Sequence, residues 1–334
     1  MKSAILSHKM LNFANLLRRI DIMINRELIR LKTVQIVYAY YQNGKNNGPQ
    51  GAQTAEKELL FSLEKSYELY QALFLLMQEV QRIAVEDVDQ RKLRARQLGQ
   101  PDTVSTKFIN NRFMQLLMQN KQLIDYREAH NQLWITDEEL AKSIYRSIQQ
   151  SIVYQEYLES GEGSFEEDRE IWRRIYKDFF CNNEDVDAAL EEKSLYWNDD
   201  KHVIDTFVLK TIKRFTAETE ADAPLLPDFD SSEDREFAAS LIHHALKGEE
   251  QYRQLIGENL RNWDFSRIAL MDLIIMQIAL AELLSYPSIP VSVSINEYVN
   301  IAKSYSTPRS SAYVNGMLDG IAKKLNAQGV LVKD

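Results

Sequence analysis

Cysteine, glycine and proline are all scarce in this chain of 334 residues, which has one cysteine, 11 glycines and 7 prolines. A single cysteine excludes an intramolecular disulfide and any zinc site with two or more cysteine ligands. Because glycine and proline make most turns, their scarcity favours long helices. The apolar stretch at Met1–Met10 is cut by His8 and Lys9, so we expect no secretory signal and a cytoplasmic protein.

Motifs for phosphate binding and covalent catalysis are also missing. The chain has no GxGxxG, no P-loop and no GxSxG sequence. His243 and His244 are adjacent, so on a helix they point to different faces and make poor joint metal ligands. Cys181 lies beside Glu184 and Asp185, whose charges raise a thiol pKa rather than activate it. We therefore predict no cofactor, no metal site and no enzymatic activity.

Charge is distributed unevenly along the chain. The formal net charge is −9, with 40 basic and 49 acidic residues. Residues 1–43 nevertheless sum to +5, whereas residues 156–200 sum to −10 and residues 218–236 to −7. Binding depends on the field within about 8–10 Å and not on the total. The overall acidity therefore does not exclude nucleic acid, although solvated helix faces explain single charge clusters equally well.

The hydrophobic pattern predicts an all-α protein. Apolar residues recur at steps of three and four over 25–42 and 54–97. Further helical patterns follow over 106–129, 136–158, 165–180, 184–192 and 199–216. No strongly alternating segment predicts a strand. The second pattern ends in a basic cluster, Arg91, Lys92, Arg94 and Arg96. Such residues offset the dipole at a helix C-terminus, and an RNA contact is the alternative explanation.

The last hundred residues have the clearest pattern. An almost continuous apolar helix is predicted over 268–284, but Asp272, Gln277 and Glu282 interrupt it. A membrane span needs about 18–20 uninterrupted apolar residues, so this pattern is more typical of the central helix of a bundle. A capping box of Ser294 with Glu297 is predicted for the next helix. Thr307 followed by Pro308 is predicted to begin the last one.

Three sequence blocks in this region resemble the NusB family of transcription antitermination factors. The first block is Trp263, Arg267, Ile268, Asp272 and the run Ile278–Leu283. The second block is Ile289-Pro290-Val291 with Ile295-Asn296-Glu297-Tyr298-Val299 and Ala302-Lys303. The third block is Tyr313-Val314-Asn315-Gly316-Met317-Leu318-Asp319. The helix over 26–42 is similar to the family's opening helix, and the order and spacing of the blocks make the resemblance specific.

The resemblance implies a helical bundle of the NusB type with an additional helical insertion. Met23 opens the better-formed first segment and is an alternative start. The predicted organisation is an N-terminal extension at 1–22, a NusB-like RNA-binding domain at 23–43 and 231–326, a helical insertion at 44–230 with an acidic linker at 218–230, and a tail at 327–334.

The resemblance also implies a function. Proteins of this family bind single-stranded boxA-type RNA of ribosomal RNA transcripts, pair with the NusE ribosomal protein and join an antitermination complex on RNA polymerase. The residues expected to bind RNA are Arg26, Arg30, Lys32, Tyr38, Arg309 and Tyr313. The basic residues would neutralise phosphates, and the ring of Tyr313 would stack on a base, which is worth about 1–3 kcal/mol. One departure from the family is Gln277, where an arginine is common.

Two alternatives stand beside this interpretation. The first is a protein-interaction scaffold that keeps the fold but binds mainly protein through the acidic insertion. The second is the regulatory domain of a ribosomal RNA methyltransferase, which carries a similar helical domain. The second fails because the chain has no glycine-rich nucleotide loop. Salt dependence separates the first from RNA binding, because log affinity for RNA falls with log salt.

Overall fold

The structure is a computed structural model that describes residues 25–44, 49–101, 103–130, 133–134, 137–197, 199–228, 232–260 and 265–331. Within these ranges it contains fourteen α-helices, one short 3-10 turn at Phe265–Arg267 and no strand, which confirms the all-α prediction. None of the described helices is long and apolar enough to cross a membrane. The predicted extension at 1–22, the alternative start Met23 and the motif residue Trp263 lie outside the described residues.

The helices follow one another along the whole described chain. They are α1 (Arg26–Gln42), α2 (Pro49–Gln97), α3 (Arg112–Gln119), α4 (Lys121–Ala129), α5 (Glu138–Gln150), α6 (Ile152–Glu159), α7 (Phe165–Phe179), α8 (Glu184–Lys193), α9 (Lys201–Arg214), α10 (Ser232–Lys247), α11 (Glu249–Glu258), α12 (Leu270–Ser285), α13 (Val291–Tyr305) and α14 (Ser310–Ala327).

The chain divides into two compact units. Unit 2 holds residues 65–228, and unit 1 holds the residues before and after it. Helix α2 contributes its first residues to unit 1 and the rest to unit 2. The predicted domain boundaries at 43/44 and 230/231 stay predictions.

Helix α12 is the centre of unit 1. It packs against α1, α10, α11, α13 and α14. Twelve of its sixteen residues are buried, as expected for a helix that is apolar nearly all round. Each of the helices around it contributes one apolar face to this core, including Leu28, Leu241, Ile256, Tyr298 and Val314.

Three buried polar residues of α12 fix the positions of the surrounding helices. Asp272, Gln277 and Glu282 lie five residues apart, and at 100° per residue successive members point about 140° away from each other. Each therefore faces a different direction and has hydrogen-bond partners there, as buried polar groups require. The interruptions of the apolar pattern are thus connections between helices.

Gln277 accounts for the departure from the family pattern. It is fully buried, and its amide donates to the Tyr41 hydroxyl at 2.9 Å and to the Ala245 carbonyl at 2.8 Å. These bonds tie α1 and α10 to α12. Because position 277 is in the interior, the charge of an arginine there would be buried without a partner in this arrangement.

Helix α7 is the hub of unit 2, where it packs against α3, α5, α6 and α9. Its Trp172 is fully buried and stacks on Phe108 at 5.3 Å between ring centroids. Its Asp168 accepts hydrogen bonds from the Tyr157 hydroxyl at 2.6 Å and from Arg112 Nε at 2.6 Å. Aromatic packing around one charge-assisted network therefore forms a core that belongs to this unit alone.

The segment predicted as a linker at 218–230 is described up to residue 228 and packs into unit 2. Leu225 and Leu226 are buried. The Leu226 amide donates to the Tyr70 hydroxyl at 3.2 Å, and the Leu225 amide donates to Gln122 Oε1 at 2.7 Å. Two apolar anchors between acidic residues hold this segment against the unit.

Two predicted helix starts are wrong. Helix α13 begins at Val291 after Pro290 with no side-chain cap, and Ser294 lies inside the helix, where it donates to Glu282 at 2.7 Å. Helix α14 begins at Ser310 and not at Thr307. The Ser310 hydroxyl accepts from the Thr307 amide at 3.2 Å and donates to Asp272 at 2.9 Å. At α13 the buried carboxylate of Glu282 takes the hydroxyl that local spacing assigned to a cap, and at α14 Asp272 takes the hydroxyls of Ser306 and Ser310 on either side of Thr307.

Candidate nucleic-acid interface

Arg26 lies at the first position of α1 and remains partly accessible. Asn25 caps the helix by accepting from the Leu28 amide at 3.0 Å. The Arg26 guanidinium lies 4.9 Å above the ring of Phe237, and its Nε is 3.5 Å from Asp234. The side chain is 30% exposed. A long, weak ion pair and a cation–π contact orient this guanidinium and leave part of it to solvent.

Arg30 lies one turn further along and is only 4% exposed. Its guanidinium donates to both carboxylate oxygens of Glu282, at 2.7 and 2.9 Å. Burial disfavours the charged form, but the hydrogen bond and charge of Glu282 outweigh it and raise the pKa of Arg30. This geometry makes Arg30 a buried connection between α1 and α12.

Glu282 is the centre of this buried network. It also accepts from the hydroxyls of Ser294 at 2.7 Å and Tyr298 at 3.0 Å, both on α13. One carboxylate therefore joins three helices through charge-assisted hydrogen bonds.

The other two predicted residues of α1 differ in exposure. Lys32 is 3% exposed, so its charge is inside the unit. Tyr38 is half-buried, and its hydroxyl accepts from Gln42 Nε2 at 2.9 Å on the exposed side. Of the four residues predicted on α1, the structure leaves Arg26 and Tyr38 accessible.

Arg309 and Tyr313 form a second group at the start of α14. Arg309 is the N-cap residue, and its side chain is exposed. Tyr313 lies one turn later and is half-buried. Its hydroxyl oxygen is buried and has no hydrogen-bond partner among the described residues. Burial, and then the charge of Asp272, raises the pKa of Tyr313, so this hydroxyl stays protonated and able to donate.

Asp272 fixes the position of this second group. It accepts from Ser306 Oγ at 2.6 Å and Ser310 Oγ at 2.9 Å, at the two ends of the connection between α13 and α14. Because Asp272 is buried in the central helix, these bonds hold the start of α14 against a rigid element. Arg309 and Tyr313 are therefore presented by a preorganised turn.

Tyr313 borders a groove of about 770 Å³ between the end of α11 and the exposed face of α14. Gly316 and Gly320 form part of its wall, and a Cβ added at either would meet open space. At the far end, Lys324 is paired with Glu258 at 3.2 Å. The groove thus has an aromatic side chain at one end, a backbone-lined wall and a cation at the other end.

The structure brings the predicted residues together in two groups and not in one. Arg26 and Arg30 both lie over Phe237, at 4.9 and 5.7 Å. No hydrogen bond, ion pair or ring contact within the described residues joins Arg26 or Arg30 to Arg309 or Tyr313. Phe237 and Lys324 were not among the residues predicted from the sequence. Phe237 occupies an ordinary apolar position of α10, whereas the spacing of Lys324 four and eight residues from Gly320 and Gly316 was a usable signal.

Comparison with known proteins identifies the family. The sequence model of the NusB family matches residues 205–323. The transcription antitermination protein NusB of Geotalea daltonii is 35% identical over 133 residues, and the match spans 40% of this chain and 89% of that protein. The chain belongs to the NusB family. The family match begins within α9, which lies in unit 2.

Other NusB proteins match a shorter part of the chain. The transcription antitermination protein NusB of Salinibacter ruber is 41% identical over 99 residues, and that of Chloroherpeton thalassium is 37% identical over 99 residues. Each match covers 30% of this chain, and the chain spans 62% and 47% of the lengths of these two relatives. The solved structure of T. maritima NusB is 31% identical, covering 35% of this chain and 73% of that one with a TM-score of 0.27.

Among the described residues, no group of three or more His, Cys, Asp or Glu side chains is arranged to hold a metal ion. Cys181 is half-buried, and burial followed by the charge of Asp205 raises its pKa to about 12. A thiol with that pKa is a poor nucleophile.

Proposed function

We propose that this chain is a transcription antitermination factor that binds single-stranded boxA-like RNA of ribosomal RNA transcripts together with the NusE ribosomal protein. It acts in the cytoplasm as part of an antitermination complex on RNA polymerase, and it is a binding protein and not an enzyme. The relatives that match it are named transcription antitermination protein NusB.

The observation that carries the proposal is the pair Arg309 and Tyr313 at the fixed start of α14. An exposed guanidinium one turn before an aromatic ring offers a phosphate contact beside a stacking surface. Single-stranded RNA presents unstacked bases and phosphates together, so it matches this combination better than a duplex does.

Arg26 and Tyr38 supply the accessible contacts of α1 in this proposal. Arg30 and Lys32 are expected to act indirectly, because their side chains are buried. Arg30 holds α1 against α12, and the packing of α1 positions Arg26.

The test is a titration of a boxA-like RNA with Tyr313→Ala, Tyr313→Phe and Arg309→Ala. Loss of the stacking ring at Tyr313→Ala should weaken binding about 5- to 150-fold, which corresponds to about 1–3 kcal/mol. Tyr313→Phe keeps the ring and should lose much less. Arg309→Ala should lower the slope of log affinity against log salt by about 0.7, as expected for one phosphate contact to a single strand.

Lys303→Ala is the matched control for Arg309→Ala, because Lys303 is an exposed cation on the neighbouring helix α13. It should leave the salt slope unchanged. Wild-type affinity in Tyr313→Ala, or equal slopes for Arg309→Ala and wild type, would show that RNA does not contact the start of α14.

A further inference from the structure

The C-terminal end of α2 extends beyond the packed part of its helix. From Asp89 to Gln97 every residue is exposed or half-buried. Leu93 is 57% exposed and Leu98 64% exposed, so apolar packing does not hold this end. Local bonds hold it instead. The Gln100 amide donates to the Ala95 carbonyl at 2.9 Å, and the Gly99 amide donates to the Arg96 carbonyl at 3.1 Å.

Gly99 makes this termination possible. Its φ of +65° lies in the left-handed region, where glycine is favoured because it has no Cβ. The two bonds form the Schellman arrangement that closes a helix. The end of α2 is therefore an ordered helical segment that projects its side chains to solvent.

This segment carries four basic residues, Arg91, Lys92, Arg94 and Arg96. We name them the basic helix end. No acidic residue occurs from 90 to 101. Arg91 is anchored by Asp87, with 3.1 Å between Nε and Oδ1. Asp87 is itself held by the Tyr145 hydroxyl at 3.2 Å and Gln149 Nε2 at 3.0 Å.

The remaining three cations have no ion pair or hydrogen bond to any described residue. The dipole of a helix places about half a negative charge at its C-terminus. One basic residue in the last turn would offset that charge, whereas this segment carries four. At 100° per residue the four cations cover an arc of about 200° around the helix axis. A flexible strand can follow such an arc, whereas the flat surface of a folded acidic protein meets one side of it.

We propose that the basic helix end binds the phosphate backbone of single-stranded RNA without sequence preference. It would hold RNA that flanks the sequence-specific site. The inference deepens the proposed function, on which it rests for the identity of the polyanion. No accessible aromatic ring lies within residues 89–101, so the contact is electrostatic and carries no base recognition.

The test compares the full chain with the triple variant Lys92→Ala, Arg94→Ala, Arg96→Ala. The matched control is Lys121→Ala, Lys177→Ala, Lys213→Ala, which removes three exposed cations elsewhere in unit 2. The two RNA probes have 40 nucleotides each, one with a central boxA-like element and one with that element scrambled. Affinities are measured from 50 to 200 mM salt.

Three lost phosphate contacts should lower the salt slope by about 2. Raising the salt concentration fourfold should therefore weaken RNA binding by the wild-type chain about 16-fold more than RNA binding by the triple variant. This difference should be the same for both RNAs. The control variant should follow wild type. Equal slopes for wild type and the triple variant would overturn the inference, and so would an equal loss in the control.

The two RNA probes keep this inference apart from the proposed function. If wild type binds both RNAs equally and the triple variant still loses slope, the sequence-specific function fails and the basic helix end stands. If the wild-type chain prefers the boxA-like RNA and the triple variant has the same salt slope as wild type, the proposed function stands. The basic helix end is then a solvated surface that does not bind RNA. Binding of neither RNA overturns both.

Discussion

The ion pair between Arg30 and Glu282 offers the most discriminating perturbation of unit 1. The sequence pattern predicts Arg30 as an RNA contact, whereas the structure places it in the interior against Glu282. We choose Arg30→Met, which removes the charge and keeps much of the length of the side chain. The second variant combines Arg30→Met with Glu282→Gln, which removes both charges and retains an acceptor for Ser294 or Tyr298.

The expected magnitudes follow from burial. Glu282 is 0% exposed, and Arg30 is 4% exposed. Removing one partner of a buried pair leaves an uncompensated charge and costs about 3–5 kcal/mol of the free energy of unfolding. The double variant has no fully buried uncompensated charge, because the other carboxylate beside Arg30, that of Glu297 at 4.0 Å, is 30% exposed. It loses two hydrogen bonds from Arg30 and weakens those to the hydroxyls, so we expect a cost of about 1–3 kcal/mol. The double variant should thus be more stable than the single one.

Urea unfolding followed by circular dichroism measures these differences. RNA titration with the double variant, which is the better folded of the two, should give the wild-type salt slope, because a buried guanidinium releases no counterion. Two results would refute this reasoning. One is wild-type stability in Arg30→Met. The other is a slope lower by about 0.7, which would show that Arg30 contacts a phosphate directly.

Three more predictions follow from single sites. Asp272→Ala removes the acceptor of the Ser306 and Ser310 hydroxyls and should cost about 2–4 kcal/mol in urea unfolding, whereas no loss would mean that these bonds do not hold α14. Gly320→Ala should raise the free energy of unfolding by about 1 kcal/mol, because its Cβ meets open space on a helix, and destabilisation would contradict this. Burial raises the pKa of Cys181 to about 12, so its thiol should react with a disulfide reagent at pH 8 about a hundredfold more slowly in the folded than in the unfolded protein. Equal rates would contradict burial of the thiol.

The helices could be predicted because apolar spacing is a local signal. The opening helix over 25–42 and the long helix ending at 97 agree closely with α1 and α2. The breaks inside 106–129 and 136–158 were missed, because the apolar pattern continues through them. In the structure Asn120 ends α3 and caps α4 by accepting from the Leu123 amide at 3.3 Å, and Ser151 does the same between α6 and its predecessor. A polar side chain turned onto the backbone outweighs periodicity there.

The site could be predicted only in part. Helical spacing correctly places Arg26 and Arg30 on one face, and both lie over Phe237. Spacing does not reveal that Arg30 is buried on this face, because Glu282, the partner of Arg30, is 252 residues away in the sequence. In the same way, Thr307 has the spacing of a cap, but α14 begins at Ser310, whose hydroxyl donates to Asp272, 38 residues away in the sequence. In both cases the local pattern lacks the contact with a buried carboxylate that lies far away in the sequence.

The most direct test of the central claim is the affinity of the wild-type chain for a boxA-like RNA and for a scrambled RNA of equal length, each with and without NusE. We predict tighter binding of the boxA-like RNA and a larger preference when NusE is present, with affinity that falls as salt rises. Equal binding of the two RNAs in both conditions would contradict an antitermination role. Salt-insensitive binding to protein alone would favour the scaffold alternative.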